Sequence, residues 1–115
     1  MSPEDDLQQR WQKIENKLTE RLGKQPDLDN VLLFIGVQEA GLPPKLFTEK
    51  EKTDLMQMAI CTILAPARYF ELMWVDDTGW PHFRNLERVP EMSIAEREVF
   101  LKPYVLKYAE KNKLI

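Results

Sequence analysis

The stretch "TEKEKTDLMQMAICTIL", residues 48–64, decides the fold of this 115-residue chain. Thr48 and Glu51 have the Thr-x-x-Glu spacing of a capping box, in which each side chain accepts from a backbone donor of the other residue, so a helix is predicted to start here. The residues that follow are apolar on most sides and leave only a thin polar strip. Pro66 ends this pattern, and we predict that the stretch is the central helix of the domain.

A surface helix is predicted over residues 3–22, with Ser2 as its N-cap and Gly23 as its stop. Apolar residues at steps of three and four predict one buried face. This apolar stripe consists of Leu7, Trp11, Ile14, Leu18 and Leu22. A basic face runs beside it and consists of Arg10, Lys13, Lys17, Arg21 and Lys24. Such a face can meet an acidic partner or phosphates, but a solvated charged surface is the favoured interpretation.

The second predicted helix, residues 29–40, contains the run "VLLFIGV". Its residues are apolar on nearly every side, which predicts a helix that is buried on most faces. Gly36 inside it costs about 1 kcal/mol of helix propensity relative to alanine. We therefore expect a neighbouring helix to approach closely at Gly36. Gly41 is the expected C-terminal stop.

After the central helix the pattern changes to "YFELMWVDDTGWPHFRNL", residues 69–86. Aromatic, β-prone runs flank "DDTG", which suits a turn with its glycine in the left-handed region. We predict a β-hairpin with strands near 69–75 and 80–86, in which Pro81 restricts the second strand to an edge. A short helix at 67–74 is the alternative.

The chain is predicted to end in one more helix, which opens at a second capping box formed by Ser93 and Glu96. Pro103 lies inside this helix and removes a backbone donor, so a kink or a break is expected there. Residues 111–115 are predicted to fray. The predicted fold class is mainly α: a single small domain over residues 1–115 with about four helices, the last kinked at Pro103, and one β-hairpin.

Composition bounds the class of protein. The formal net charge is −3, which gives no overall attraction to phosphate or anionic lipid. Cys61 is the single cysteine, so no intramolecular disulfide can form and a reducing compartment fits. Its apolar neighbours in the central helix predict that Cys61 is a small buried hydrophobe. No apolar run is long enough for a membrane span, and we predict a cytoplasmic protein without a cofactor, a metal or a membrane partner.

Rare residue types crowd into "WVDDTGWPHF", which begins at Trp74. Carboxylate and imidazole side chains could meet across this hairpin, but one histidine and two turn carboxylates do not complete a catalytic or metal site. The two aspartates are explained by their role in closing the turn. No local role explains Trp80 and His82, which flank Pro81. Glu39 continues an apolar stripe of the second helix, so its carboxylate is expected at the rim of the core or buried with a partner. These candidate binding residues are His82, Trp80, Asp76, Asp77 and Glu39.

The order of three helices followed by a hairpin resembles that of a winged-helix domain, whose third helix enters the DNA major groove. The resemblance rests on element order and on no sequence motif. It implies phosphate contacts from Lys45, Lys50, Lys52, Arg84 and Arg88. The third helix here offers few polar residues to read base edges and the net charge is negative, so nucleic-acid binding is the second hypothesis.

The leading hypothesis is a non-catalytic protein-interaction module. A lone two-stranded hairpin is marginally stable in water, so we expect it to pack on the helices or to pair with another subunit. Its edge is predicted to contact another protein or a second copy of the chain, as a homodimer. The aromatic residues of this edge are Tyr69, Trp74, Trp80 and Phe83. A small enzyme that uses His82 with a nearby carboxylate (Asp76, Asp77 or Glu39) is the third hypothesis.

Overall fold

The computed structural model describes residues 3–22, 27–43 and 45–112. These residues form four α-helices and one β-hairpin in the predicted order. The elements are α1 (Pro3–Leu22), α2 (Leu28–Ala40), α3 (Glu49–Leu64), a 3₁₀ turn (Ala65–Ala67), β1 (Phe70–Val75), β2 (Pro81–Asn85) and α4 (Ile94–Lys111). The roles predicted for Ser2, Gly23, Lys24 and most of the 111–115 tail lie outside the described residues, as does the side chain of Arg21.

Contacts between Cα atoms divide the chain into two compact units. The first unit joins the two ends of the chain, Met1–Leu28 and Met92–Ile115, and the second is the continuous segment Asp29–Glu91. The single domain over residues 1–115 stays a prediction.

The first unit is built from α1 and α4, which contact each other. The stripe predicted for α1 is buried at Trp11, Ile14 and Leu18, and α4 supplies Leu101, Val105, Leu106, Tyr108 and Ala109 to the buried residues of this unit. Polar contacts join the same two helices. Arg10 Nε donates to Glu110 Oε1 at 2.6 Å, and this hydrogen bond raises the pKa of the Arg10 guanidinium.

The last helix continues without interruption through Pro103. The break considered for this position does not occur, and the kink stays a prediction. Ser93 and Glu96 form the expected capping box at its start, with the Ser93 side chain accepting from the Glu96 backbone N–H at 3.2 Å. The helix is thus capped where its sequence predicts.

In the second unit α2 and α3 approach each other at Gly36. A Cβ atom added to Gly36 would overlap the Leu55 carbonyl group, whose carbon would lie 2.8 Å away, closer than real Cβ contacts come. It would also lie 3.1 Å from the Leu55 Cβ, which is tighter than most such contacts. The close helix approach predicted at Gly36 is confirmed. Glycine is needed here because any side chain would occupy the space of the neighbouring backbone.

A small apolar cluster of this unit supports the hairpin. Ala40, Leu55 and Met58 are buried at its centre, and Trp80 and Phe83 pack against them from the hairpin. The strands therefore lean on the helical layer, which is how a two-stranded hairpin gains stability. The alternative helix at 67–74 is wrong, because the chain passes from a single 3₁₀ turn directly into β1.

Candidate functional site

The turn between β1 and β2 is closed by backbone hydrogen bonds at Asp76. Gly79 N–H donates to the Asp76 carbonyl at 2.9 Å, and Asp76 N–H donates to the Trp80 carbonyl at 3.0 Å. Gly79 has φ of +89°, a left-handed conformation in which glycine carries no steric cost. The left-handed glycine predicted for this turn is confirmed.

The Asp76 carboxylate accepts four hydrogen bonds. Its Oδ1 accepts from Thr78 Oγ1 at 2.6 Å, from Thr78 N–H at 2.9 Å and from Trp80 N–H at 3.0 Å. Its Oδ2 lies 2.8 Å from His82 Nε2. The Thr78 hydroxyl first, and then His82, hold the pKa of Asp76 far below its usual range. Asp77, beside it in the sequence, is exposed, so only one of the two aspartates organises the turn.

A β-bulge brings the Trp74 and His82 rings together. Leu72 pairs with Phe83 and Trp74 pairs with His82, so Met73 is an extra residue without a partner on β2. In a strand without a bulge, residues 72 and 74 would share a face. Here Trp74 lies on the face of His82, and the two rings stack with centroids 4.4 Å apart and an angle of 7°.

The Asp76 carboxylate decides which role His82 Nε2 takes in their hydrogen bond. Because the Asp76 carboxylate stays ionised, His82 Nε2 carries a proton and donates it to Oδ2 across 2.8 Å. The ring is thus held by a hydrogen bond at one edge and by the Trp74 face on one side. These two contacts fix the orientation of the His82 ring.

Replacing Asp76 by asparagine is expected to destabilise the chain at neutral pH, and more than Asp77→Asn does. A carboxylate with a lowered folded pKa contributes stability that is complete above its unfolded pKa and is lost as the pH falls toward the folded pKa. The difference between the wild-type and Asp76→Asn free energies of unfolding should therefore shrink below pH 3.8, the ordinary aspartate value. Urea denaturation followed by circular dichroism at neutral and acid pH measures this difference. A difference that is constant with pH would contradict it.

An open cleft of about 360 Å³ lies between α3 and β2. The β2 side contributes Trp80, Pro81, His82 and Phe83, and the α3 side contributes Asp54, Gln57, Met58 and Cys61. The α3 residues recur at steps of three, one and three, which places them on one face of the helix. Two candidates from the sequence, Trp80 and His82, therefore share one cleft. The α3 residues of the cleft were not predicted, although their helical spacing indicates that they share a face.

Cys61 lines this cleft and is only half-buried, so the prediction that it is simply a buried hydrophobe needs correction. Partial burial still raises the pKa of its thiol, because desolvation disfavours the thiolate. A cysteine that acts as a nucleophile needs a lowered thiol pKa, which is the opposite direction. The cleft walls are therefore better suited to binding than to nucleophilic chemistry at Cys61.

The remaining candidates from the sequence do not line the cleft. Glu39 is exposed at the end of α2 and is not among the residues that line the cleft. Of the basic face, Arg10 is engaged by Glu110 and Asp6, and Lys13 and Lys17 are exposed. Within the second unit the structure thus brings Asp76, His82 and Trp80 together.

The basic side chains that the winged-helix resemblance implies are each paired with an acidic side chain of the same chain. The pairs are Lys45–Glu51, Lys50–Asp54, Lys52–Glu49, Arg84–Glu71 and Arg88–Glu91. Exposed pairs of this kind contribute little to stability, but they neutralise the local field. A phosphate backbone would have to compete with these carboxylates for every contact.

Strand β1 exposes apolar side chains on both of its faces. Leu72, Met73, Trp74 and Val75 are 50%, 48%, 56% and 55% exposed, and Leu86 beyond β2 is 47% exposed. In a strand with one face on the core, every second side chain would be buried. In β1, by contrast, four consecutive side chains are about half exposed. We call Leu72, Met73, Trp74, Val75 and Leu86 the hairpin apolar surface.

Comparison with protein-family models, with curated proteins and with solved structures finds no match to this chain. Among the described residues, no helix combines the length and the apolar character that crossing a membrane requires. Within the same ranges, no group of three or more histidine, cysteine, aspartate and glutamate side chains is placed to hold a metal ion.

Proposed function

We propose that this chain is a non-catalytic protein-interaction module of the reducing cytoplasm, and that it self-associates through the hairpin apolar surface. The single observation behind the proposal is the half-exposure of four consecutive apolar residues of β1, with Trp74 the most exposed of them at 56%. Runs of exposed apolar residues are costly on a monomer unless they bind something. Tryptophan is also among the residues that dominate binding energy in protein interfaces.

The size of the hairpin apolar surface suits a contact between two copies. Five side chains of this size at about half exposure present roughly 500 Å² of apolar area, near the upper end of the range for the largest patch on a monomer. Because these side chains stand on both faces of β1, a symmetric contact would cover only part of them and would remove less than about 1,000 Å² from water in total, which is the size of a weak, transient interface. We therefore expect a weak and reversible dimer.

Two features favour contact through side chains over pairing of strand edges. The bulge at Met73 interrupts the regular edge of β1. Just before β2, the Trp80 carbonyl accepts a hydrogen bond from the backbone N–H of Asp76, the residue that follows β1. The nitrogen of Pro81 belongs to the same trans peptide, so it points to the other side and offers no donor to a further strand. Trp80 and Phe83 pack inward, so the proposed contact uses Leu72, Met73, Trp74, Val75 and Leu86 in their place.

The charges beside this surface do not oppose a symmetric contact. Glu71, within β1, is paired with Arg84 on β2 of the same chain. Like charges directly opposite each other would destabilise a contact between two hairpins. Because Glu71 is already neutralised by Arg84, two copies can meet without this repulsion.

A matched pair of leucine substitutions tests the proposal. At about 100 μM the wild-type chain is expected to sediment as a dimer. Leu72→Glu places a carboxylate in the contact and should raise the dissociation constant at least about tenfold. Leu46→Glu makes the same change at a residue that is 99% exposed and outside the hairpin, and it should leave the dimer unchanged. Analytical ultracentrifugation over a concentration series measures all three chains.

Two outcomes would overturn the proposal. One is a wild-type chain that sediments as a monomer throughout the series, and the other is an equal effect of Leu72→Glu and Leu46→Glu. Circular dichroism of both variants confirms beforehand that their helices are intact.

A further inference from the structure

The cleft between α3 and β2 combines aromatic walls with a carboxylate. Trp80, His82 and Phe83 contribute three rings, and Met58 and Pro81 add apolar surface between them. Asp54 stands on the α3 wall with its side chain 51% exposed. Of the described residues that line the cleft, none is a lysine or an arginine, and Asp54 is the carboxylate among them.

The carboxylate of Asp54 is weakly engaged. Lys50 Nζ lies 3.3 Å from Asp54 Oδ2, but the Lys50 side chain is 88% exposed. An ion pair in such a position contributes little because water screens it and the lysine stem must be ordered. A cation held inside the cleft could share this carboxylate or take the place of Lys50.

We infer that this cleft receives an arginine side chain from a segment of a partner protein. A guanidinium group is planar and weakly hydrated, so it can stack on an aromatic ring and donate to a carboxylate at the same time. Its three-carbon stem is apolar and can lie along Met58 and Pro81. Gln57, also on the cleft wall, offers an amide oxygen as a second acceptor.

The dimensions of the cleft agree with this occupant. A volume of about 360 Å³ lies near the lower end of the range for ligand sites. A side chain with its adjoining backbone fits such a space better than a large cofactor does. Because the cleft is open, the backbone of the partner segment can continue across its mouth on both sides.

This inference rests on the α3–β2 cleft and not on the hairpin apolar surface, so the two proposals can fail separately. Two blocked tripeptides serve as probes: alanine–arginine–alanine, and the same peptide with citrulline, which keeps the shape of arginine without its charge. Both are titrated into the ¹⁵N-labelled full chain and followed by amide chemical shifts. The arginine peptide should shift amides within 54–61 and 80–83, with a dissociation constant of about 1 mM, and the citrulline peptide should bind at least about fivefold more weakly.

Asp54→Asn and Asp77→Asn provide the matched variants. Both remove one exposed carboxylate from the same unit, but only Asp54 lines the cleft. Asp54→Asn should raise the dissociation constant of the arginine peptide about tenfold, because one charge-assisted contact is lost. Asp77→Asn should leave this dissociation constant unchanged. Repeating the titration on Leu72→Glu, in which self-association is weakened, should give the same affinity.

Three results would overturn the inference: equal binding of the arginine and citrulline peptides, equal effects of the two aspartate variants, or no amide shifts within the cleft residues. None of them depends on whether the chain forms a dimer, since the hairpin test is read by sedimentation alone.

Discussion

Gly36→Ala is expected to lower the free energy of unfolding by about 2–4 kcal/mol. Considered as an isolated helix, α2 would gain about 1 kcal/mol from this change, because alanine is the better helix former. The gain is outweighed because the new methyl group would overlap the backbone of Leu55. Backbone atoms cannot rotate away as a side chain can, so α2 and α3 must separate and lose packing along their contact.

The sign of the change in the free energy of unfolding shows whether helix propensity or the close approach of α3 has the larger effect at Gly36. Denaturation by urea, followed by circular dichroism, gives the free energy of unfolding for the wild type and the variant. Gly41→Ala is a useful control: a Cβ at Gly41 meets nothing within 4 Å, and its φ of +66° costs an L-residue about 1–2 kcal/mol. A Gly36→Ala chain more stable than the wild type would show that α2 and α3 do not approach as described.

Trp11→Ala is expected to lower the stability of the first unit by about 3–5 kcal/mol. Trp11 is 3% exposed and lies on the buried stripe of α1, in the unit that α1 and α4 build. Lys102 Nζ on α4 lies 4.9 Å from the centre of the Trp11 ring, so the same ring also makes a cation–π contact between these helices. Its removal would leave a cavity that two helices can fill only by shifting.

Trp74→Ala provides the matched control for Trp11→Ala, because it deletes the same atoms from an exposed position. Trp74 is 56% exposed and stacks on His82, so its loss should cost about 1 kcal/mol. Thermal and urea unfolding of the two variants compare these costs directly. Equal destabilisation would contradict the burial of Trp11 and the exposure of Trp74.

Local patterns were sufficient to predict the elements. The capping boxes at Thr48 and Ser93 start α3 and α4 where expected, because a cap needs only residues three positions apart. The burial of Trp11, Ile14 and Leu18 follows from their helical spacing. Gly36 was also predictable, since a glycine inside a buried helix has few explanations other than a close neighbour.

The candidate site was only partly predictable. Asp76 and Asp77 are equivalent in the sequence, and the direction in which each side chain points, toward Thr78 and His82 or toward solvent, depends on the turn conformation. The bulge at Met73 has no sequence signal of its own. The wall formed by Asp54, Gln57 and Cys61 becomes part of a site only because β2 packs beside that face of α3.

The sequence by itself determined the helices, the capping boxes of α3 and α4, and the hairpin, since each depends on residues that are close along the chain. The tertiary structure alone decided that Trp80 and Phe83 pack inward while Trp74 stays exposed. It also decided that Arg10 of the basic face pairs with Glu110, one hundred positions away. The physical reason is the same in these cases. The partner of a side chain across the fold depends on how distant segments pack, and the spacing of residues within one segment carries no information about that packing.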